Sequence, residues 1–228
     1  MDQPERINRH LALQLGISRR EADELIEKGK VKINDTPAKL GDRVSSNDSV
    51  TVHDKPIKGD AQFVYLAFHK PVGYVCSRRA QGDAPTIYEL LPQKYHALKP
   101  VGRLDKNSSG LILLTNDGTF AHQMTHPSFH KIKVYEATLD TPLQPLHQQM
   151  ISDFGVMLED GKSKFMIERE DEPLATSYRI SMSEGRNRQI RRTFSALGYT
   201  VVSLHRTTFG SYQLDGLPAG QLKEIAKI

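Results

Sequence analysis

Gly102-Arg103-Leu104-Asp105-Lys106-Asn107-Ser108-Ser109-Gly110, running on into Leu111-Ile112-Leu113-Leu114-Thr115-Asn116-Asp117-Gly118, is the stretch whose reading decides the fold. The apolar run from Leu111 stops at an Asn-Asp-Gly turn, so it reads as a buried strand. The polar loop before it is bracketed by glycines and carries one carboxylate, Asp105, among Arg103 and Lys106. Loops mounted on a rigid strand are where chemistry is usually placed. Taken alone, this one reads as a surface turn with an Arg103–Asp105 ion pair. The rest of the chain changes that reading.

The chain has 228 residues, enough for one large domain or a small one plus a medium one. No apolar run approaches the roughly 20 residues that cross a bilayer, so no membrane partner is expected. The first residues, Met1-Asp2-Gln3-Pro4-Glu5-Arg6, lack the basic-then-apolar shape of a secretory signal. A single cysteine, Cys76, leaves no intramolecular disulfide and no cysteine-based metal cage. A cytoplasmic protein is expected. The formal net charge is +4, with Arg and Lys unevenly placed. Residues 1–59 are nearly balanced, whereas residues 179–206 carry six arginines (179, 186, 188, 191, 192 and 206) against Glu184 alone. Such a cluster suits phosphate or carboxylate binding through forked hydrogen bonds.

The first segment reads as a small module. Ile7, Leu11 and Leu15 recur at helical spacing up to Gly16. Ser18-Arg19-Arg20-Glu21 is a capping box that opens a second helix, with Ala22, Leu25 and Ile26 inward. Lys30-Val31-Lys32-Ile33 alternates as a strand, Asn34-Asp35 turns it, and Val50 and Val52 mark another. Arg19, Arg20, Lys28, Lys30 and Lys32 could share one basic face; Asp23, Glu24 and Glu27 leave ordinary mixed charge an equal reading. Residues 54–62 read as a linker, giving domains 1–59 and 60–228. Beyond it come short strands at 63–68, 131–139, 178–182 and 201–204, short helices at 87–91 and 187–197, and the central strand. This pattern predicts an α+β domain around a mixed or antiparallel sheet.

On the wheel of the 187–197 helix, Ile190, Phe194 and Leu197 fall inward, Arg188 and Arg192 outward, and Arg191 at the border. A half-buried arginine needs a carboxylate partner, and Asp105 is the candidate. Tyr135, in an alternating strand, reads by itself as packing. His122, His126 and His130 have helical metal-ligand spacing, but Pro127 interrupts the helix and no further ligand completes a site; no metal is expected. No Gly-x-Ser-x-Gly elbow, P-loop or Gly-x-Gly-x-x-Gly occurs, so no cofactor is expected either.

Two resemblances follow from these residues. Arg6-Ile7-Asn8, Ser18 to Ala22, Leu25-Ile26, Gly29, Val31 and Ile33-Asn34 resemble the S4 RNA-binding module, which implies RNA binding by Arg19, Arg20, Lys28, Lys30 and Lys32. Lys70-Pro71-Val72-Gly73-Tyr74-Val75, the Gly102–Gly118 stretch, and Glu184-Gly185-Arg186-Asn187-Arg188-Gln189-Ile190-Arg191-Arg192 with Leu204 and Arg206 resemble, in order, three blocks of the RsuA-like pseudouridine synthases. That resemblance implies an isomerase acting on uridine in ribosomal RNA, with Asp105 as nucleophile, Tyr135 against the target base, Arg191 paired with the aspartate and Leu204 lining the pocket. Lys70, Arg103, Arg186, Arg188 and Arg192 are expected to contact substrate. A monomer is expected, and the arginine block leans toward the large-subunit type. His69 stands where the family usually has Asn, and Ser108 where Thr is common. The competing readings are a non-catalytic S4-type RNA-binding protein and a hydrolase pairing Asp105 with Asp117. The latter requires the two carboxylates in one pocket, about 5–9.5 Å apart.

Overall fold

The computed structural model describes residues 4–57, 62–78, 82–169 and 176–228. The chain divides into two compact units, Met1–Val64 and Tyr65–Ile228. The expected linker at 54–62 lies within the first unit and ends two residues before the division, which falls five residues later than the expected 59/60 boundary; residues 58–61 lie outside the described residues.

The first unit follows the sequence signals closely. Helix Ile7–Leu15 ends at Gly16 in the left-handed region, and helix Arg19–Glu27 starts at the Ser18–Glu21 capping box. In that box the Glu21 amide donates to Ser18 Oγ at 3.1 Å and the Ser18 amide to Glu21 Oε2 at 2.6 Å. Strands Val31–Ile33 and Val50–Val52 pair antiparallel, with short flanking strands at Thr36–Pro37 and Lys55–Pro56. Asn34 and Asp35 both take positive φ, as a tight hairpin turn requires. Ile7, Leu11, Ala22, Ile26, Val31 and Val50 close the core.

The second unit is built on a nine-stranded mixed sheet among the described residues. In spatial order its main strands are Met166–Arg169, Ser177–Met182, Lys133–Leu139, Val201–Phe209, Ser109–Thr115, Tyr65–Lys70 and Leu222–Glu224. Short strands Lys99–Val101 and Tyr212–Gln213 pair at the side. The neighbours are antiparallel except for Val201–Phe209 on Ser109–Thr115, which is parallel. This is the expected mixed sheet. Residues 111–114 are fully buried, which explains why that run is continuous rather than alternating.

Three local expectations change. Asn116-Asp117-Gly118 does more than turn the chain: Asp117 caps a helix, Gly118–Thr125, by accepting from the amides of Thr119 (2.9 Å) and Phe120 (3.1 Å). Asp117 also receives Tyr65 Oη and Lys227 Nζ, each at 2.9 Å. It is therefore spent on structure, which removes the second carboxylate that the hydrolase reading needed. The arginine helix is shorter than expected, Gln189–Ser195, because Arg188 takes a left-handed conformation (φ 47°) and starts the helix late. A helix at Pro145–Gln149 and a hairpin of Val156–Leu158 with Gly161–Ser163 were not legible.

The parallel contact depends on one glycine. Gly110 pairs with Arg206 at φ 107°, and a Cβ there would collide with the Arg206 backbone. Gly110→Ala is expected to destabilise the protein by about 2 kcal/mol or more. Gly118→Ala, where the space is open, should stay within about 0.5 kcal/mol of wild type. Urea unfolding of the two variants checks both.

Candidate active site

The Asp105 loop leaves the sheet between Val101 and Ser109. Gly102 enters it at φ 73°, and the Ser108 amide closes a turn on the Asp105 carbonyl at 3.0 Å. The next three carbonyls are held from three directions. The Gly73 amide donates to Lys106 O at 2.8 Å. Arg191 Nη2 donates to Asn107 O at 2.7 Å. Lys70 Nζ donates to Ser108 O at 2.6 Å. These donors come from the first and third sequence blocks, so all three blocks meet at the loop.

This arrangement corrects two assignments. Lys70 was expected at the substrate; it is fully buried, and its ammonium is bound to Ser108 O and, at 2.9 Å, Pro71 O. Burial pulls its pKa down to about 8, with Cys76 and Asp105 nearby working the other way. It is a positioning residue under the loop. Arg191 was expected to pair with Asp105; its guanidinium instead donates to Asn107 O and, at 2.7 Å, to Val201 O. Its proton affinity is lowered by burial and by the Arg188 charge, and Asp105 opposes that shift. The ion-pair partner of Asp105 is Arg188, Nη1 to Oδ2 at 3.9 Å. The helical wheel pointed Arg188 outward; its left-handed backbone takes it off the wheel and over the loop. The simple Arg103–Asp105 pair is not formed, and Arg103 lies exposed at the mouth.

A cleft of about 530 Å³ opens beside the loop. Asp105, half-buried, sits on its wall with Tyr135 and Leu204, both buried, the two residues that the family resemblance implied beside it. The remaining lining mixes apolar side chains (Ile190, Met182, Phe209) with cations. Arg186 and Arg192 were expected to meet phosphates, but both are engaged by Asp160. Arg186 Nη1 lies 2.9 Å from Asp160 Oδ1, and Arg192 Nη2 2.7 Å from Oδ2. Arg186 also donates to the carbonyls of Asp160, Gly161 and Lys162, which pins the 156–163 hairpin to the arginine block. Their charge is answered inside the fold.

The sequence reading missed Lys133, Cys76 and Asp160. Lys133 had a visible signal: it lies two residues before Tyr135 in an alternating strand and therefore on the same face. Cys76 lines the cleft, buried, with its thiol pushed up by burial and accepting weakly from the Leu104 amide. Asp160 had no signal, since the hairpin carrying it was not legible.

In the first unit, Arg19 and Arg20 lie exposed in the opening turn of the second helix. Arg19 donates to Asn8 Oδ1 at 3.2 Å. Lys28 pairs loosely with Glu24 at 3.7 Å, and Lys30 is exposed. Lys32 is tied to Asp54 at 2.7 Å, a hydrogen bond that raises its pKa.

Comparison with known proteins agrees with this layout. Residues 64–196 match the family described as RNA pseudouridylate synthase, and residues 5–50 match the S4 domain. The chain belongs to the RNA pseudouridylate synthase family. As a member it is an isomerase, with an S4 domain ahead of a mixed-sheet catalytic part. It is 34% identical to a ribosomal small subunit pseudouridine synthase A of Pasteurella multocida, covering 97% of this chain and 96% of the relative. It is also 34% identical to a ribosomal large subunit pseudouridine synthase B of Bacillus subtilis, covering 97% and 92%. A solved pseudouridylate synthase superposes with a TM-score of 0.68 at 32% identity, covering 97% and 96%.

The buried Lys70 gives the synthase a measurable pH signature. A lysine whose folded-state pKa lies below its ordinary 10.5 binds its proton more tightly when unfolded. Its contribution to stability therefore rises with pH between about 8 and 10.5. The unfolding free energy of wild type minus that of Lys70→Met is expected to increase from pH 7.5 to pH 9.5. Urea titrations at the two pH values check the sign.

Proposed function

We propose that this synthase converts a uridine of ribosomal RNA to pseudouridine with Asp105 as the nucleophile, as a monomer in the cytoplasm. The observation that carries the reading is the Asp105 carboxylate. It is set on a loop braced by three donors, faces Arg188, and opens into a cleft walled by Tyr135 and Leu204. A carboxylate must be ionised to attack, and cations on its side favour that form. A target base has to leave the stack, and a flipped base needs apolar or aromatic walls of the kind Tyr135, Leu204 and Ile190 offer.

The reaction that fits is an isomerisation. Asp105 bonds to the sugar C1′ or to the base as the N1–C1′ bond breaks, the base turns, C5 bonds to C1′, and the Asp105 bond breaks again to free the carboxylate. The C5 proton is then lost and N1 gains one, so the base keeps its composition. Tyr135, on the wall of the same cleft, supports the base and takes part in proton movement in this reading. The S4 unit, through Arg19, Arg20, Lys28, Lys30 and Lys32, adds RNA contacts by phosphate attraction. Relatives named for the small and the large subunit stand at equal identity, so overall identity does not choose between them. The arginine block favours the large-subunit RNA, and mapping pseudouridines in both RNAs with and without the synthase decides it.

Two outcomes test the assignment. Asp105→Asn is expected to keep RNA affinity while pseudouridine formation falls below detection; activity retained in that variant would remove Asp105 as nucleophile. Arg188, partly exposed, is expected to meet a phosphate, whereas Arg192 is occupied by Asp160. Arg188→Ala should weaken binding and reduce the salt slope by about 1, with Arg192→Ala leaving the slope unchanged. Filter binding across a salt series reads both.

A further inference from the structure

Two cations at the cleft take no part in bracing the Asp105 loop. Lys133 is 9% exposed and Arg206 2%, and both line the cleft. Arg206 donates Nε to Leu111 O at 2.8 Å, while its Nη2 is buried without a hydrogen-bond partner. Lys133 Nζ reaches the carbonyls of Lys131, Ser183 and Glu184 at 3.3–3.4 Å, beyond good hydrogen-bond length. The two charges lie against one ring: Lys133 Nζ is 5.2 Å and Arg206 Cζ 4.8 Å from the Phe209 centroid. The acids near them are committed elsewhere. Glu184 is turned to Arg186 at 3.5 Å and to Gln189, and Asp105 faces Arg188.

Buried charge without a counter-charge is costly, and a shared aromatic face offsets only part of that cost. Among the described residues, the site therefore lacks an anion. We propose that Lys133 and Arg206 form a subsite for the phosphate attached to the nucleotide that enters the cleft. A uracil carbonyl would satisfy one donor but leave both charges unanswered. A phosphate supplies negative charge and at least two acceptor oxygens, matching an ammonium beside a guanidinium. Arg186 and Arg192 do not compete for it, because Asp160 holds them. The proposal rests on the pseudouridine synthase reading, since it takes the occupant to be a nucleotide.

Met182 also lines the cleft, so its methyl resonance reports binding there in the full chain. The probes are uridine, uridine 5′-monophosphate and uridine 3′-monophosphate. At least one monophosphate is expected to bind about tenfold more tightly than uridine, the size of one charge-assisted hydrogen bond; which one does so identifies the flanking phosphate held. Lys133→Met should erase the preference and Lys133→Arg should restore it. If Lys133→Met does not fold, Lys133→Gln serves for the same comparison. Equal binding of all three probes by wild type overturns the proposal, as does a preference that survives loss of the Lys133 charge. If the Lys133 variant weakens uridine and monophosphates by the same factor, the group holds base oxygens and the phosphate subsite is again overturned. Pseudouridine formation in ribosomal RNA is scored separately. Activity without a phosphate preference removes only the subsite. A preference without activity removes only the synthase reading.

Discussion

Three consecutive carbonyl oxygens, those of Lys106, Asn107 and Ser108, fix the Asp105 loop, each receiving a donor from elsewhere in the second unit. The Gly73 amide arrives from the turn after the Tyr65–Lys70 strand. Lys70 arrives from the end of that strand, and Arg191 from the helix facing it. Two of the donors are charged, and hydrogen bonds from charged groups contribute about 1.5–3 kcal/mol each. A loop held at three successive peptide units has little freedom to swing Asp105 away from the cleft. The cost falls on Lys70, which keeps a buried ammonium under the loop at the expense of a pKa pulled down to about 8.

The same constraint explains why two side chains trade the roles that their positions suggested. Arg191 lies on the border of its helix, where a guanidinium is too buried to remain without acceptors. The carbonyls of Asn107 and Val201 meet that need, so it steadies the loop and does not clasp the carboxylate. Arg188 precedes the helix in a left-handed conformation and is free of its periodicity, so it can lean over Asp105 while staying accessible. One residue holds the backbone and the other faces the charge.

What was legible followed local rules. The capping box at Ser18, the Asn34-Asp35 turn and the continuous apolar run at Leu111 each carry their cause within a few residues, and each formed as expected. The mixed sheet, with Asp105, Tyr135 and Leu204 beside one cleft, was legible through the order of the motifs and their resemblance to a family. What stayed hidden depended on partners distant in the chain. Nothing near Lys70 says that Ser108 O will lie above it. Nothing near Arg186 and Arg192 announces Asp160, which sits in a two-residue turn between strands too short to show a period. The wheel failed at Arg188 because it assumed a helix one turn longer than the backbone makes.

Charge counting along the sequence also needs the fold to be interpreted. The six arginines at 179–206 suggested phosphate or carboxylate binding. Within the structure Arg186 and Arg192 are answered by Asp160, Arg191 by carbonyls and Arg206 in part by Leu111 O and the Phe209 ring. Of the arginine-block side chains, Arg188 is the one left both exposed and facing the catalytic candidate. Arg179 lies exposed away from this cleft; at the cleft itself, Arg188 stands beside Asp105, and Lys133 and Arg206 line the wall. A nucleotide entering there would meet the Arg188 cation beside Asp105 and a cleft that Lys133, Arg206, Tyr135 and Leu204 line. That geometry favours a single nucleotide drawn inward over a strand laid flat across the surface, as an enzyme acting on a base inside RNA requires.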